Sequence, residues 1–262
     1  MNLFGFCNLS VVPCRREPSD KSEMVTQLLF GEHFEILEEH KNWVYISSAI
    51  DGYKSWIDRK QYLPISQETF DKLGSESHSR TSDIVGIITE TTANTSFPVP
   101  IGSRLPFLKG KEKEFSVESK SYSFDGSVTT PGAKPKRSSI VEDSFIYLNA
   151  PYLWGGRTPF GIDCSGFTQM VYRLNGMKLQ RDASMQVEQG ETLDFPEEAK
   201  PGDLAFFDNE EGAITHVGIV LPDMKIIHAS GRVHIDKLDH LGIYSEEKRN
   251  YTHNLRILKT LL

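Results

Sequence analysis

Along the first sixty-five residues, apolar positions alternate with polar ones instead of recurring every three or four. "HFEILEEH" alternates at Phe34 and Ile36, and "WVYIS" and "KSWID" follow after turn-like breaks. A period of two over short spans predicts strands. The Asp51-Gly52 pair in "AIDGYK" predicts a hairpin. Five or six short strands with polar turns predict a small β-barrel over residues 1–65. "SQETFDKLGSESHSR" opens with one or two helical turns and then becomes polar, so residues 66–82 read as a linker. Residues 83–138 return to strand texture, rich in β-branched residues and broken by Pro and Gly. Their order of a Gly, an apolar pair, a charged turn, a strand and an Asp-Gly echoes the first section and predicts a second small barrel. "TTPGAKPKRSS", residues 129–139, reads as the next linker.

From 139 to 262 the period changes. Ile140, Phe145 and Leu148 have helical spacing. In "GIDCSGFTQMVYRLNG", Phe167, Met170, Val171 and Leu174 fall at i, i+3, i+4 and i+7. Asp163 stands where an N-cap belongs and Gly176 where a helix stops. "DLAFFD", "THVGIVL", "KIIHASG" and "NLRILKTLL" then read as strands. Helices first and strands after predict an α+β domain.

Composition narrows the class. The chain has 262 residues, 25% of them charged and 38% hydrophobic, with a net charge of -7. These values suit a folded chain in water, and the absence of a basic run points away from nucleic acid. No apolar run approaches the roughly 20 residues of a membrane helix. The start "MNLFGFCNLSVVPCRREPS" reads as the first strands of a domain, so the expected setting is cytoplasmic and the expected state a monomer without membrane contact. Of three cysteines, Cys7 and Cys14 lie in strand-like apolar stretches and read as small buried hydrophobes.

Cys164 is different. It opens the predicted helix, where unpaired N–H groups and the helix dipole favour a thiolate and an oxyanion. Its neighbours in "DCSG" are small, so a substrate backbone could approach. "THVGIVLPDMKIIHAS" reads as a hairpin centred on Pro222, which would set His216 and His228 nearly opposite each other on one face. One imidazole can take the thiol proton and the other can fix its tautomer. Two other readings fit the same residues: a structural thiol with unrelated histidines, and a zinc site of Cys164, His216 and His228 that lacks a fourth ligand.

"YLWGGRTPFGIDCSGFTQMVY", "GDLAFF", "HVGIVL" and "IIHASG", in that order, resemble the motifs of NlpC/P60 cysteine peptidases over residues 140–262. The resemblance implies a papain-like catalytic domain, with Cys164 as nucleophile, His216 as base and His228 as orienting residue. Tyr152 matches an active-site tyrosine that helps bind the oxyanion. The two barrels ahead of it resemble bacterial SH3 domains, and the layout is similar to the γ-D-glutamyl-L-diamino acid endopeptidases, the dipeptidyl-peptidase VI subgroup. That implies cleavage between γ-linked D-Glu and Lys or diaminopimelate in muropeptides with a free N-terminal L-Ala, during recycling, without metal or organic cofactor. In the subgroup the first barrel closes one side of the cleft. Asp182, in "LQRDASMQ", matches the aspartate that binds the free amine, as a charge-assisted pair would. It reads otherwise as an N-cap for "ASMQVEQG". Ser165 and Asp163 would line the pocket, Asp163 reading also as a plain cap. Glu17 and Tyr53 look like the subgroup's cleft-facing acid and tyrosine, and Glu17 equally like a surface acid. Trp154 reads as a substrate neighbour or a core residue. Hydrolysis of intact peptidoglycan and non-catalytic wall-peptide binding are the rival functions.

Overall fold

The alternation read in the first sixty-five residues becomes seven antiparallel strands. Their order across the sheet is Met24–Leu29, Val11–Arg15, Lys54–Asp58, Trp43–Ser48, His33–His40, Phe4–Phe6, Leu63–Ile65. Phe34 and Ile36 face inward and Glu35 outward, as period two requires. Cys7 and Cys14 are fully buried beside Val12, Phe34 and Val44. The Asp-Gly turn forms: Gly52 takes φ +72, and Ser48 N–H donates to the Tyr53 carbonyl at 3.0 Å.

The computed structural model describes residues 3–76, 78–109, 113–129 and 134–262, which fall into two units, residues 1–133 and 134–262. The stretch read as a linker after residue 65 is largely ordered structure. Ser66 accepts a bond from Thr69 N–H at 3.2 Å and starts helix α1, Gln67–Ser75. Leu73 of that helix is buried, and Ser79–Thr81 is already a strand. Strands Thr95–Pro100, Val85–Glu90, Lys120–Asp125 and Glu114–Val117 form one sheet; Arg104–Leu105, Ser79–Thr81 and Val128–Thr129 form another.

One core joins both strand groups of the first unit. Phe6, Phe30, Ile65 and Leu73 pack with Ile88, Val99, Phe115 and Tyr122. Phe30 sits at its centre, with its ring 5.8 Å from Phe6, 5.6 Å from Tyr122 and 6.2 Å from Phe115, all edge-on. Burial of these rings, and not chain continuity, holds the two groups together.

In the second unit, helix α2 (Arg137–Ser144) begins inside the stretch read as the second linker, whose residues 130–133 lie outside the described residues. Helix α3 (Cys164–Leu174) is the one predicted, with Phe167, Met170 and Val171 fully buried and Gly176 at φ +75 after its end. Helix α4, Ala183–Gln186, follows. Strands Leu204–Asp208, Ile214–Leu221, Lys225–Ser230, Arg232–Leu238, Gly242–Ser245 and Asn250–Thr260 pair in sequence, all antiparallel. The last returns to pair with both Leu204–Asp208 and Gly242–Ser245, closing a six-stranded barrel; Glu191–Leu193 adds outside the closure. Strands 191–193 and 242–245 are too short to show a period, and charged residues interrupt the alternation of 232–238. Among the described residues, no helix is long and apolar enough to cross a membrane.

Phe30→Ala should destabilise the first unit by about 3–5 kcal/mol, the usual cost of emptying a buried aromatic site. Because the core is shared, tryptophan fluorescence at Trp56 and proteolysis within residues 85–125 should report the loss at the same denaturant concentration. Separate midpoints would contradict a shared core.

Candidate active site

Asp163 sets the start of α3. Its carboxylate accepts from Gly166 N–H at 2.6 Å and from Gly155 N–H at 2.8 Å. Arg181, 1% exposed, clamps both of its oxygens at 3.0 and 2.6 Å and also donates to Ser165 Oγ at 2.9 Å. A planar guanidinium satisfies a buried carboxylate in this two-pronged way. Asp163 is thus the N-cap of α3, and both Asp163 and Ser165 are engaged in holding the helix terminus. Gly166 is required by space: a Cβ there would stand 2.4 Å from the Gly156 carbonyl oxygen.

Cys164 occupies the first helical position and is 7% exposed. Burial pushes its thiol up to about 12, and the Asp163 carboxylate adds to the rise; N–H groups of Val217 and Ser165 and the Arg181 charge pull the other way. Loss of solvent therefore works against the pull of the helix terminus on a thiolate. A neighbouring base that takes the thiol proton would offset that cost.

That neighbour is supplied by strand register. Gly218 pairs with His228, so the hairpin is centred on Asp223, one residue later than the Pro222 read from sequence. Asp223 and Met224 take φ +59 and +51 to make the turn. His216, two residues before Gly218, lies on the same face as His228 and diagonal to it. A Cβ on Gly218 would meet His228 Cβ at 2.9 Å, so the glycine leaves room for the imidazole pair. His216 Nε2 and His228 Nδ1 are 2.8 Å apart, and His228 Nε2 lies 3.3 Å from Asp236 Oδ2. A proton on His228 Nε2 and one on His216 Nε2 satisfy both contacts and leave His216 Nδ1 as the free base. Burial lowers His216 well below its ordinary value, with the neighbouring histidines His228 and His253 adding to this; burial also lowers His228, opposed by its bond to Asp236. Burial raises Asp236, but its bond to His228 and the charges of His228 and His234 outweigh that and hold it below the usual carboxylate range.

Tyr152 is half-buried, and its hydroxyl is pushed up to about 12 by burial first and then by the charges of Cys164 and Asp163. Asp182 holds the N-cap position of α4, without a side-chain capping bond. Trp154 is 58% exposed, so the core reading fails for it. Glu17 and Tyr53 belong to the first unit. Glu17 is exposed in the turn after Val11–Arg15, and its N–H donates to Ser22 Oγ at 3.0 Å. Tyr53 N–H donates to Asp51 Oδ1 at 3.1 Å beside the Asp-Gly turn.

Several residues were missed. His253 lies flat on His216, with ring centroids 4.2 Å apart, and Phe207 borders both. Asp236 and Arg181 complete the two networks. Alternation in "RVHIDKL" was the signal available for Asp236; a basic residue just before Asp182 was the signal for Arg181. Among the described residues, the groups able to hold a metal are His216/His228/His253 and His228/His234/Asp236. Neither contains Cys164, so the zinc reading with that thiol is not realised.

Below pH 6.5 an unfolded chain protonates its histidines, while the folded chain resists because their values are lowered, to about 4 for His253 and His78 and about 3 for His33. Stability should therefore be complete above pH 6.5 and fall as the pH drops from there toward 4. Denaturant midpoints at pH 7.5 and pH 5 measure this, and equal midpoints would count against it. Arg181→Met should cost about 3–5 kcal/mol by stranding the Asp163 charge, read in the same unfolding assay.

Residues 149–254 match the NlpC/P60 family, and residues 14–61 match the bacterial dipeptidyl-peptidase Sh3 domain. The chain is similar to a γ-D-glutamyl-L-lysine dipeptidyl-peptidase of Bacillus cereus, 26% identical over 242 residues, 80% of this chain and 68% of that one. It is 28% identical over 264 residues to dipeptidyl-peptidase 6 of Lysinibacillus sphaericus, covering 85% and 87% of the two chains. A crystal structure of an NlpC/P60 family protein from Bacillus cereus shares the fold over 99% of both chains, with a TM-score of 0.84 at 21% identity.

Proposed function

With an NlpC/P60 domain behind a bacterial dipeptidyl-peptidase SH3 domain, the chain is a cysteine peptidase, and we propose that it cleaves the γ-D-glutamyl–L-diamino acid bond of muropeptides with a free N-terminal L-Ala. The observation that carries the mechanism is the chain His216–His228–Asp236, which starts on a strand whose Val217 N–H bonds the Cys164 sulfur. The names of the Bacillus relatives, γ-D-glutamyl-L-lysine dipeptidyl-peptidases, support the choice of bond.

In this reading Cys164 Sγ attacks the γ-carbonyl carbon of D-Glu while its proton passes to His216 Nδ1. His228 and Asp236 hold the ring and stabilise the imidazolium. Tyr152 and the helix N–H groups take the oxyanion. The C–N bond breaks as His216 returns the proton to the leaving amine of Lys or diaminopimelate, leaving a thioester. Water then adds with His216 as base, and the free carboxylate and thiol are restored. Asp182 pairs with the α-ammonium of L-Ala, which would explain rejection of blocked peptides. Released wall peptides are the substrate pool, so the setting is recycling. We further infer that the catalytic unit is a papain-like α+β domain and that residues 79–129 are a second SH3-like module. Support comes from Gly31 and Gly102, which take φ +86 and +79 at matching turns of the two strand groups.

L-Ala-γ-D-Glu-L-Lys and its N-acetylated form, followed by mass spectrometry, test the reading. The free peptide alone should be cut, and Cys164→Ala should abolish cleavage. Asp182→Asn should lower kcat/KM for the free peptide by roughly 10–150-fold, the loss of one charged hydrogen bond of about 1.5–3 kcal/mol. Equal cleavage of both peptides would instead favour a hydrolase of intact wall. Cleavage of neither would overturn the substrate assignment.

A further inference from the structure

We propose that His228, His234 and Asp236 form a binding site for a divalent transition metal of the zinc type, and that an ion there holds the peptidase off. The site arises from register. His228 pairs directly with His234 across strands Lys225–Ser230 and Arg232–Leu238, and Asp236 stands two residues on, so all three project from one face. Asp236 Oδ2 lies 3.3 Å from His228 Nε2 and 3.1 Å from His234 Nε2. Ligand atoms about 2.0–2.2 Å from a tetrahedral ion stand roughly 3.3 Å apart, so both spacings to Asp236 already suit one, and all three ligand atoms lie within 4.8 Å of one another.

Hydrogen-bond direction strengthens the case. His234 Nδ1 lies 2.8 Å from the Arg232 carbonyl oxygen, which can only accept. The neutral ring therefore carries its proton on Nδ1 and turns a lone pair on Nε2 toward the carboxylate oxygen of Asp236. Two acceptors facing each other at 3.1 Å need positive charge between them: a proton on His234 or a metal ion. A backbone carbonyl behind a ligating imidazole is also the usual way of orienting a metal ligand. A cavity of about 180 Å³ opens onto the three side chains and is bordered by Ser230, Ser245 and Glu247, giving room for an ion and its remaining water ligands. Arg232 and Lys248 also border it, but both are exposed and their charge is screened.

Inhibition, unlike binding, rests on the relay proposed above. An ion on His228 Nε2 takes that lone pair, so the ring proton must sit on Nδ1, facing His216 Nε2. His216 then accepts at Nε2 and carries its own proton on Nδ1. The proton count is unchanged, yet the nitrogen that should take the Cys164 proton is filled.

Zinc chloride titrated calorimetrically into the Cys164→Ser chain tests binding without the thiol or any activity. One ion should bind per chain. His234→Gln, and independently Asp236→Asn, should weaken it by at least the roughly 10–100-fold that loss of a second-shell group costs. Cobalt(II) should show ligand-field bands without a thiolate charge-transfer band in the wild-type chain. In the peptide assay, zinc should inhibit wild type and His253→Phe but not His234→Gln, each scaled to its own metal-free rate. No binding, or binding lost only with Cys164→Ser, would overturn the site. Binding without inhibition would overturn the switch and leave the site. Failure to cleave the tripeptide at all would bear on the substrate reading alone.

Discussion

The pairing of Gly218 with His228 is the constraint on which the active site depends. Side chains along a strand alternate with a period of two, so a slip of one residue would send His228 to the opposite face from His216. The turn at Asp223 and Met224 fixes this register, and closure of the six-stranded barrel leaves no free edge along which it could slide. The next hairpin repeats the device, with His228 opposite His234 and Asp236 one step along. Backbone pairing thus aligns three imidazoles and a carboxylate that are scattered in sequence.

Opposed to this rigid array is a thiol that burial makes reluctant to ionise. The Arg181–Asp163 pair spends a fully buried cation on anchoring the helix terminus, and not on the sulfur directly. Its worth lies in position: removing either member strands the other, while the intact pair keeps Cys164 against the backbone N–H of Val217. Burial disfavours charge on both the thiol and the imidazole, which suits a site that separates charge only when substrate has displaced water.

Much of this was legible in the chain. Helix α3 was legible because its apolar spacing, its cap and its terminal glycine all agree, and local agreement of that kind reports a real element. The long barrel strands were legible for the same reason. Residues 191–193 and 242–245 are too short to show a period, and "RVHIDKL" mixes charge into its alternation. Arg181 and Asp236 carry only weak local signals and His253 none, because their roles come from partners found only after pairing. The one-residue error at the hairpin has a definite cause: Pro222 looks like the turn centre, but the two positive-φ residues that make the turn follow it.

The core around Phe30 has a different kind of consequence. Chains built from small β modules are often assembled by exchange of gene segments, which works when each segment carries a complete interior. Here a break between residues 66 and 82 would part Phe6 and Phe30 from Phe115 and Tyr122, leaving each half with an open apolar face. The two strand groups can therefore be inherited or transplanted only together. The natural cut for recombination lies near residue 134, at the boundary between the two units.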